Sequence, residues 1–510
     1  MFKRSLTAFL VCVFVSSFMF AQQPGEISYK DKSVMPEGKI GERIKSFIDT
    51  INSGETEHIK HFIQEECMGR FKNMPLEEHL NAFTSFLQET GGIEFHSIRI
   101  YDPPRAGETI VILKDKNFEA WRAFTLRFSQ DENHLITGMA FSDARTPSNV
   151  KEEPLTENDF LLEIQKMMNR LSENEVFSGT LLIAKGKDVL FSFAAGEASK
   201  RYHVPINIDT KFNLGSMNKM FTSLTIMNLI EKGQLALEDT LDKFVDETWL
   251  PKETTSKITI HNLLTHTSGL GSYFNAVYMR SSRELFRKLD DYKPLIKVEK
   301  LAFDPGTRYQ YSNTGMFLLG VVIENVTGED YFDVIRKVIY EPAGMKNSDC
   351  YEMDYPVENL AIGYSPDKGS EWGWQNNYYK HVIKGGPAGG GFSTVGDLHR
   401  FALALLSGKL VSEASLKKMW TDHYNAGYGY GFGIQEGPNG KVVGHSGGFS
   451  GINSNLDIFL DKGYIIAVMS NIDNGASPIS SRINALLARV IKGIGERPLF
   501  PSYGLRSRLK

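Results

Sequence analysis

Ser216 and Lys219 lie in the run Ser216-Met217-Asn218-Lys219, a spacing that puts a hydroxyl and an amine one turn apart on the same face of a helix. That pairing suits nucleophilic catalysis, because a serine hydroxyl attacks only when a neighbouring base takes its proton, and an amine can do so. The run follows Phe212-Asn213-Leu214-Gly215 and opens a stretch with apolar Met220, Leu224, Met227 and Ile230 that stops at Gly233. A helix is therefore expected to begin at the serine and to lend it the positive end of its dipole. Spacing alone selects little, since Ser-x-x-Lys recurs at Ser148, Ser365, Ser415 and Ser507.

A second candidate set is Tyr311-Ser312-Asn313, between Phe303-Asp304-Pro305-Gly306-Thr307 and the helix-like Thr314 to Gly320. A tyrosine acting as base is demanding: bringing a phenol from about 10 to about 7 takes roughly 4 kcal/mol. One cation at about 4 Å and an effective dielectric near 20 supplies roughly that much, so Lys219 beside Tyr311 is expected to lower the phenol. The ordinary reading is a buried, hydrogen-bonded tyrosine, and Tyr273-Phe274-Asn275 repeats the short pattern. The third set is His445-Ser446-Gly447-Gly448, ending an expected strand with Ser450 and Gly451 close behind. Glycines there would let a substrate lie against the strand edge as an added strand. A lone histidine is more often structural, and a glycine-rich turn is more often just a turn.

These sets need elements to hold them. A helix carrying Leu161, Ile164, Met168 and Leu171 leads into strands at 179–184 and 188–194 joined at Gly186. Far downstream, strands at 428–435, 441–446, 452–459 and 463–470 precede a helix with Ile479, Ile483, Leu487 and Val490. Start and finish can thus build one antiparallel sheet, while 211–425 reads as a lobe of helices and loops with a cleft between. Ahead of this, apolar positions at helical spacing give helices around Ile44 to Ile51, Ile59 to Ile63 and Leu76 to Leu87, followed by strands at 93–101, 109–114, 120–128 and 134–141. Helices followed by a strand meander make an α+β unit. The segment 142–158, with Pro147, Pro154 and many polar residues, reads as an exposed linker.

The resulting division is 1–21 signal peptide, 22–141 α+β accessory domain, 142–158 linker, 159–497 main domain and 498–510 tail. Lys3 and Arg4, the apolar run Leu6 to Phe20, and Ala21 before Gln22 have the order of a secretory signal. Export to a periplasm or the cell exterior is expected, with no membrane span left after its removal. Cys12 leaves with the signal, and Cys67 and Cys350 fall in different expected domains, so neither a disulfide framework nor a thiolate metal site is indicated. Without Lys3 and Arg4, 55 basic residues face 61 acidic ones, a formal charge of −6 that offers phosphate backbones no broad attraction. Nucleic acid is not an expected partner. His261 and His266 lack the His-Glu-x-x-His arrangement and a third ligand, and no Walker-type loop occurs. No metal or cofactor is expected.

Taken together and in order, the three sets resemble the active-site motifs of the serine penicillin-recognising enzymes. The wording of Leu263 to Leu270, Asp304-Pro305-Gly306 with Tyr309 to Asn313, Pro387 to Ser393 and Gly444 to Gly451 resembles the class C β-lactamase and penicillin-binding family, peptidase family S12, over about 160–495. The first unit, through its order of elements and phrases such as Ile51-Asn52-Ser53-Gly54, resembles NTF2-like cone domains. The resemblance implies an α/β (α+β) β-lactamase/transpeptidase-like fold and an exported serine hydrolase. It implies Ser216 as nucleophile and Lys219 with Tyr311 as proton relay. Asn313 would orient the substrate amide or the lysine, and the Ser216 and Gly448 N–H groups would form the oxyanion hole beside Ser446 and Gly447. Thr265 to Gly269 would be a structural loop. Small-molecule or short peptide substrates follow, namely an ester, a D-amino-acid peptide or a related amide; the alternative is a penicillin or peptidoglycan-peptide binding module without turnover. His445 departs from the lysine of most β-lactamases, which is a permanent cation for the substrate carboxylate. With a reference value of about 6.5 it holds an anion less strongly, which puts efficient β-lactam hydrolysis in doubt.

Overall fold

The computed structural model describes residues 28–367 and 369–491. The expected signal segment with Cys12, the tail 498–510 and the Ser507 match lie outside the described residues. Among the described residues there are two compact units, one of 28–84, 93–114 and 121–151, the other of 85–92, 115–120 and 152–491. No described helix is long and apolar enough to cross a membrane.

The first unit begins with a strand the sequence reading omits, β1 (Ser28–Lys32). Helices α1 (Gly38–Ser53), α2 (Thr56–Glu66) and α3 (Leu76–Thr90) follow, then β2 (Ile93–Asp102), β3 (Glu108–Asp115), β4 (Trp121–Phe128) and β5 (Ile136–Asp143). The strands form one sheet in chain order. Ile44, Phe47, Ile48 and Ile51 turn the apolar stripe of α1 inward. Phe47 meets Phe62 and Phe83 and stacks edge-on against Phe124 at 4.8 Å. Strand β1 escapes pattern reading because Ser-Tyr-Lys-Asp-Lys carries no apolar alternation. Its anchor is ionic: Asp31 receives Arg99 Nε and Nη2 at 3.0 and 3.1 Å.

The expected linker, largely exposed and holding the division between the units at 151/152, is also tied by side-chain hydrogen bonds. Strand β5 runs to Asp143, Ser148 N–H donates to Asp31 Oδ2 (2.7 Å), and Asp31 N–H donates to Ser148 Oγ (2.8 Å). Further on, Leu155 and Val490 make a parallel bridge. Backbone groups without a sheet partner found one in side chains, which composition does not reveal.

In the second unit, α4 (Glu157–Glu173) starts on a Thr156/Asp159 capping box. The sheet comprises β6 (Gly179–Lys185), β7 (Asp188–Ala195), β8 (Gly433–Gly437), β9 (Gly440–Phe449), β10 (Ile452–Phe459) and β11 (Tyr464–Ser470), in the order β8-β9-β10-β11-β6-β7. Every pairing is antiparallel, and β11 joins β6 from Tyr464↔Lys185 to Ser470↔Gly179. Alternation sends Leu181, Ile183, Ile466 and Val468 to one face, against α4 and α7 (Ser477–Leu487). Leu182, Ala184, Ile465, Ala467 and Met469 go to the other face, against the helical lobe. Burial on both faces explains why these strands are apolar throughout.

The expected strand 428–435 is a strand only from Gly433. Gly431, at φ +75°, turns the chain back, so that Gly429 N–H bonds Phe432 O and Tyr428 bridges Gly433. Strand β8 then reaches β9 only as far as Gly433↔Gly444. Beyond Gly444, the other edge of β9 has no neighbouring strand among the described residues.

Asp31→Ala should destabilise the first unit by about 3–5 kcal/mol, because the buried Arg99 charge loses its partner. Chemical denaturation followed by tryptic digestion of residues 28–151 reads it; a loss under 1 kcal/mol would contradict this account of β1.

Candidate active site

Ser216 sits in a single 3-10 turn, Gly215–Met217, that leads into α5 (Asn218–Glu231). The helix therefore begins two residues later than expected. Gly215 takes φ +51°, and a Cβ there would lie 2.8 Å from Gly448 N. A Cβ on Gly447 would lie 1.8 Å from Leu214 O. These two glycines let the serine turn touch the unpaired edge of β9, so a nucleophile and a strand edge meet at backbone distance.

Helix α5 is buried almost all round, which is how a helix inside a lobe reads. Its first turn grips the loop 386–391. Asn218 Nδ2 donates to Gly386 O (3.2 Å), Lys219 Nζ to Ala388 O (2.5 Å) and Thr222 Oγ1 to Pro387 O (2.8 Å). Gly390 N–H closes the loop onto Gly215 O at 3.0 Å. The lysine is 0 % exposed, and burial alone drives its amine well below the usual lysine value.

Tyr311 immediately precedes α6 (Asn313–Thr327), whose N-cap is Ser312. Thus Tyr-x-Asn straddles a helix start, with Ser312 Oγ between them accepting Gly315 N–H. Lys219 Nζ lies 4.9 Å from the Tyr311 ring centre, and the Ser216 hydroxyl is near enough to Tyr311 to favour its ionised form. The expected lowering of the phenol does not occur. Although 38 % of the residue is exposed, burial raises the phenol well above its ordinary value, and the nearby Ser216 hydroxyl only partly offsets this. Burial disfavours the ammonium form of Lys219, which weakens it as a cation for the phenol and makes its amine the group best suited to accept a proton.

Asn313 Nδ2 donates to Ser272 Oγ (3.2 Å) rather than acting on the lysine. Ser272 belongs to a loop tied down by Glu299, which receives Gly271 N–H (2.8 Å) and the Thr314 hydroxyl. His445 lies in β9, half-buried, with Nδ1 2.5 Å from Ser446 O and Nε2 3.1 Å from Tyr428 Oη. Burial first, then the nearby Lys219, pushes it down to about 3.

Two residues of this site escape the sequence reading of the chemistry. His266 Nδ1 accepts Ser312 N–H (3.1 Å), and its ring packs against Tyr311 at 4.4 Å and Tyr428 at 4.6 Å. Its Nε2 is buried without a partner among the described residues. Tyr428 gave no sequence signal at all, because only the turn at Gly431 brings it to His445. The recurring short patterns have other duties: Ser365 Oγ pairs with Ser450 Oγ, Ser415 donates to Glu231, and Asn275 caps the helix Ala276–Arg280. His261 bonds Tyr430 Oη at 2.8 Å. Cys67 and Cys350 are both free and buried, each pushed up to about 12 chiefly by burial.

A serine beside a tyrosine and a buried amine, on a sheet flanked by a helical lobe, defines a serine hydrolase of β-lactamase/transpeptidase-like fold. A family model described as Beta-lactamase matches residues 164–489, and the chain belongs to that family. It is 33% identical over 327 residues to penicillin-binding protein 4* of Bacillus subtilis (strain 168), covering 60% of this chain and 71% of that protein. To esterase EstB of Burkholderia gladioli it is 30% identical over 205 residues, covering 38% and 52%. The crystal structure of a penicillin-binding protein from Bacillus halodurans superposes with a TM-score of 0.58 at 30% identity, covering 62% of this chain and 98% of that one.

Gly447→Ala should leave the fold standing but cut ester hydrolysis about 100-fold, since the added Cβ forces β9 and the serine turn apart. Near-normal kcat/KM with an unchanged melting curve would contradict the close approach.

Proposed function

We propose that the protein is an exported hydrolase that forms an acyl-enzyme on Ser216 from an ester, a D-amino-acid peptide or a related amide. The observation that carries this is the buried amine of Lys219, three residues after Ser216 and 4.9 Å from the Tyr311 ring centre, its charged form disfavoured by burial. Ser216 Oγ attacks the carbonyl carbon as its proton passes to Tyr311 and the Tyr311 proton passes to Lys219. The new O–C bond forms while the oxyanion rests on the N–H groups of Ser216 and Gly448, with Ser446 and Gly447 lining the edge. When the bond to the leaving group breaks, Lys219 returns the proton through Tyr311 to the departing oxygen or nitrogen. Water then adds to the acyl carbon by the same relay and releases the acid and Ser216. Asn313, held by Ser272, orients the acyl group.

The order Lys3-Arg4, Leu6 to Phe20, Ala21 supports export to a periplasm or the cell exterior. The motif wording supports placement in peptidase family S12. Helices followed by a five-stranded sheet support an NTF2-like reading of the first unit, with a packing or binding role.

Turnover of 4-nitrophenyl acetate and of D-alanine 4-nitroanilide, followed by absorbance, tests the reading. Ser216→Ala should abolish it, and Lys219→Ala and Tyr311→Phe should each cost about 100- to 10,000-fold. Because the neutral amine is the acceptor, native kcat/KM should rise with pH as Lys219 loses its proton, and that limb should vanish in Lys219→Ala. Turnover surviving in Ser216→Ala would overturn the mechanism. A single stoichiometric burst without turnover would instead favour a binding role, as the name of the Bacillus subtilis relative suggests.

A further inference from the structure

The state of His445 bears on which substrates fit, given the reading of Ser216 as nucleophile. Its Nδ1 lies 2.5 Å from the Ser446 carbonyl, which can only accept, so Nδ1 carries the ring hydrogen. In the neutral ring Nε2 is then a lone pair, and the Tyr428 hydroxyl at 3.1 Å donates to it. Both nitrogens are engaged, and no N–H remains to offer a substrate.

The surroundings hold this state. The titratable groups facing the ring are Lys219 from α5, His266 from the turn before Gly269, and Tyr428 from the turn at Gly431. Tyr311 adjoins them, 6.3 Å from Tyr428 ring to ring. No carboxylate is among them to favour an imidazolium. Burial and Lys219 both act against a second proton, in keeping with a value of about 3.

Tyr311 also fixes which part of the substrate meets His445. The far end of the open β9 edge is closed by Phe449, stacked on Phe274 at 5.7 Å. Tyr311, which returns the proton to the leaving atom, lies at the opposite end, beside Tyr428 and His445. The leaving group therefore departs along the His445 side.

We propose that Tyr428 is a positioning residue that locks His445 as a neutral ring with no donor to spare, so that the enzyme selects substrates with an uncharged leaving group over those ending in a free carboxylate. A carboxylate there would be desolvated against a lone pair and a hydroxyl already committed elsewhere. Esters and amides of neutral alcohols and amines avoid that cost.

The test uses two acetyl esters that differ only in charge, 4-acetoxybenzamide and 4-acetoxybenzoate, each kcat/KM divided by its spontaneous hydrolysis rate. The full-length protein should favour the benzamide about tenfold or more, with a ratio constant from about pH 5.5 to 8. In Tyr428→Phe nothing fixes the tautomer, so an Nε2–H can meet the substrate carboxylate and the preference should shrink. His445→Lys, which puts a permanent cation there, should shrink or reverse it at every pH. Equal or greater use of the benzoate by the native protein, or a native ratio that falls with pH, would overturn the proposal. Ser216→Ala separates the two claims: loss of turnover of both esters upholds the nucleophile whatever the native ratio. A native protein that hydrolyses neither ester overturns both.

Discussion

A single amine sealed inside the protein sets the terms for the rest of the site. An isolated ammonium in such a place costs several kcal/mol after relaxation unless a carboxylate meets it, and burial is the only influence acting on Lys219. Burial favours the neutral amine, and its hydrogen bond goes to the Ala388 carbonyl. From this follows the shape of the neighbourhood. The loop 386–391 is clamped by Asn218 and Thr222 so that its carbonyl faces the amine. Tyr311 keeps its proton, and His445 gains none.

The sheet supplies the second constraint, which is access. A nucleophile needs backbone donors in place before the oxyanion develops, and a strand edge offers them only where no other strand occupies it. The turn at Gly431 cuts β8 short and leaves β9 open from His445 to Phe449. Gly215 and Gly447 then allow contact between that edge and the serine turn. One glycine-rich turn thus frees the edge and delivers Tyr428 to His445, coupling the geometry of attack to the chemistry of recognition.

Much of this was legible in the sequence. Apolar periodicity located the strands of the second unit's main sheet, because that sheet is buried on both faces and its side chains say so, whereas helices of the lobe such as Val395–Leu406 and Glu413–Met419 were read only as part of a helical stretch. The three motif sets stand together at Ser216, Tyr311 and β9. Strand β1 was not legible, since its five residues are polar and its hold is the Asp31–Arg99 pair. The polar stretch 142–158 read as linker because a segment held by side-chain hydrogen bonds has the composition of one that is not held. The charge state of the site failed for a deeper reason. Placing Lys219 beside Tyr311 by Coulomb's law takes the lysine to be fully charged, and burial, which spacing does not show, disfavours that charge and raises the phenol as well. Tyr428 lay outside any motif because its place depends on a turn and a register.

The central claim, that these groups make Ser216 the one reactive nucleophile, is tested most directly by the mass of the intact protein after a fluorophosphonate probe, with peptide mapping of the adduct. The account predicts one adduct per chain, on Ser216, absent from Ser216→Ala and slowed in Lys219→Ala. An adduct on another residue, or one that persists in Ser216→Ala, would contradict it.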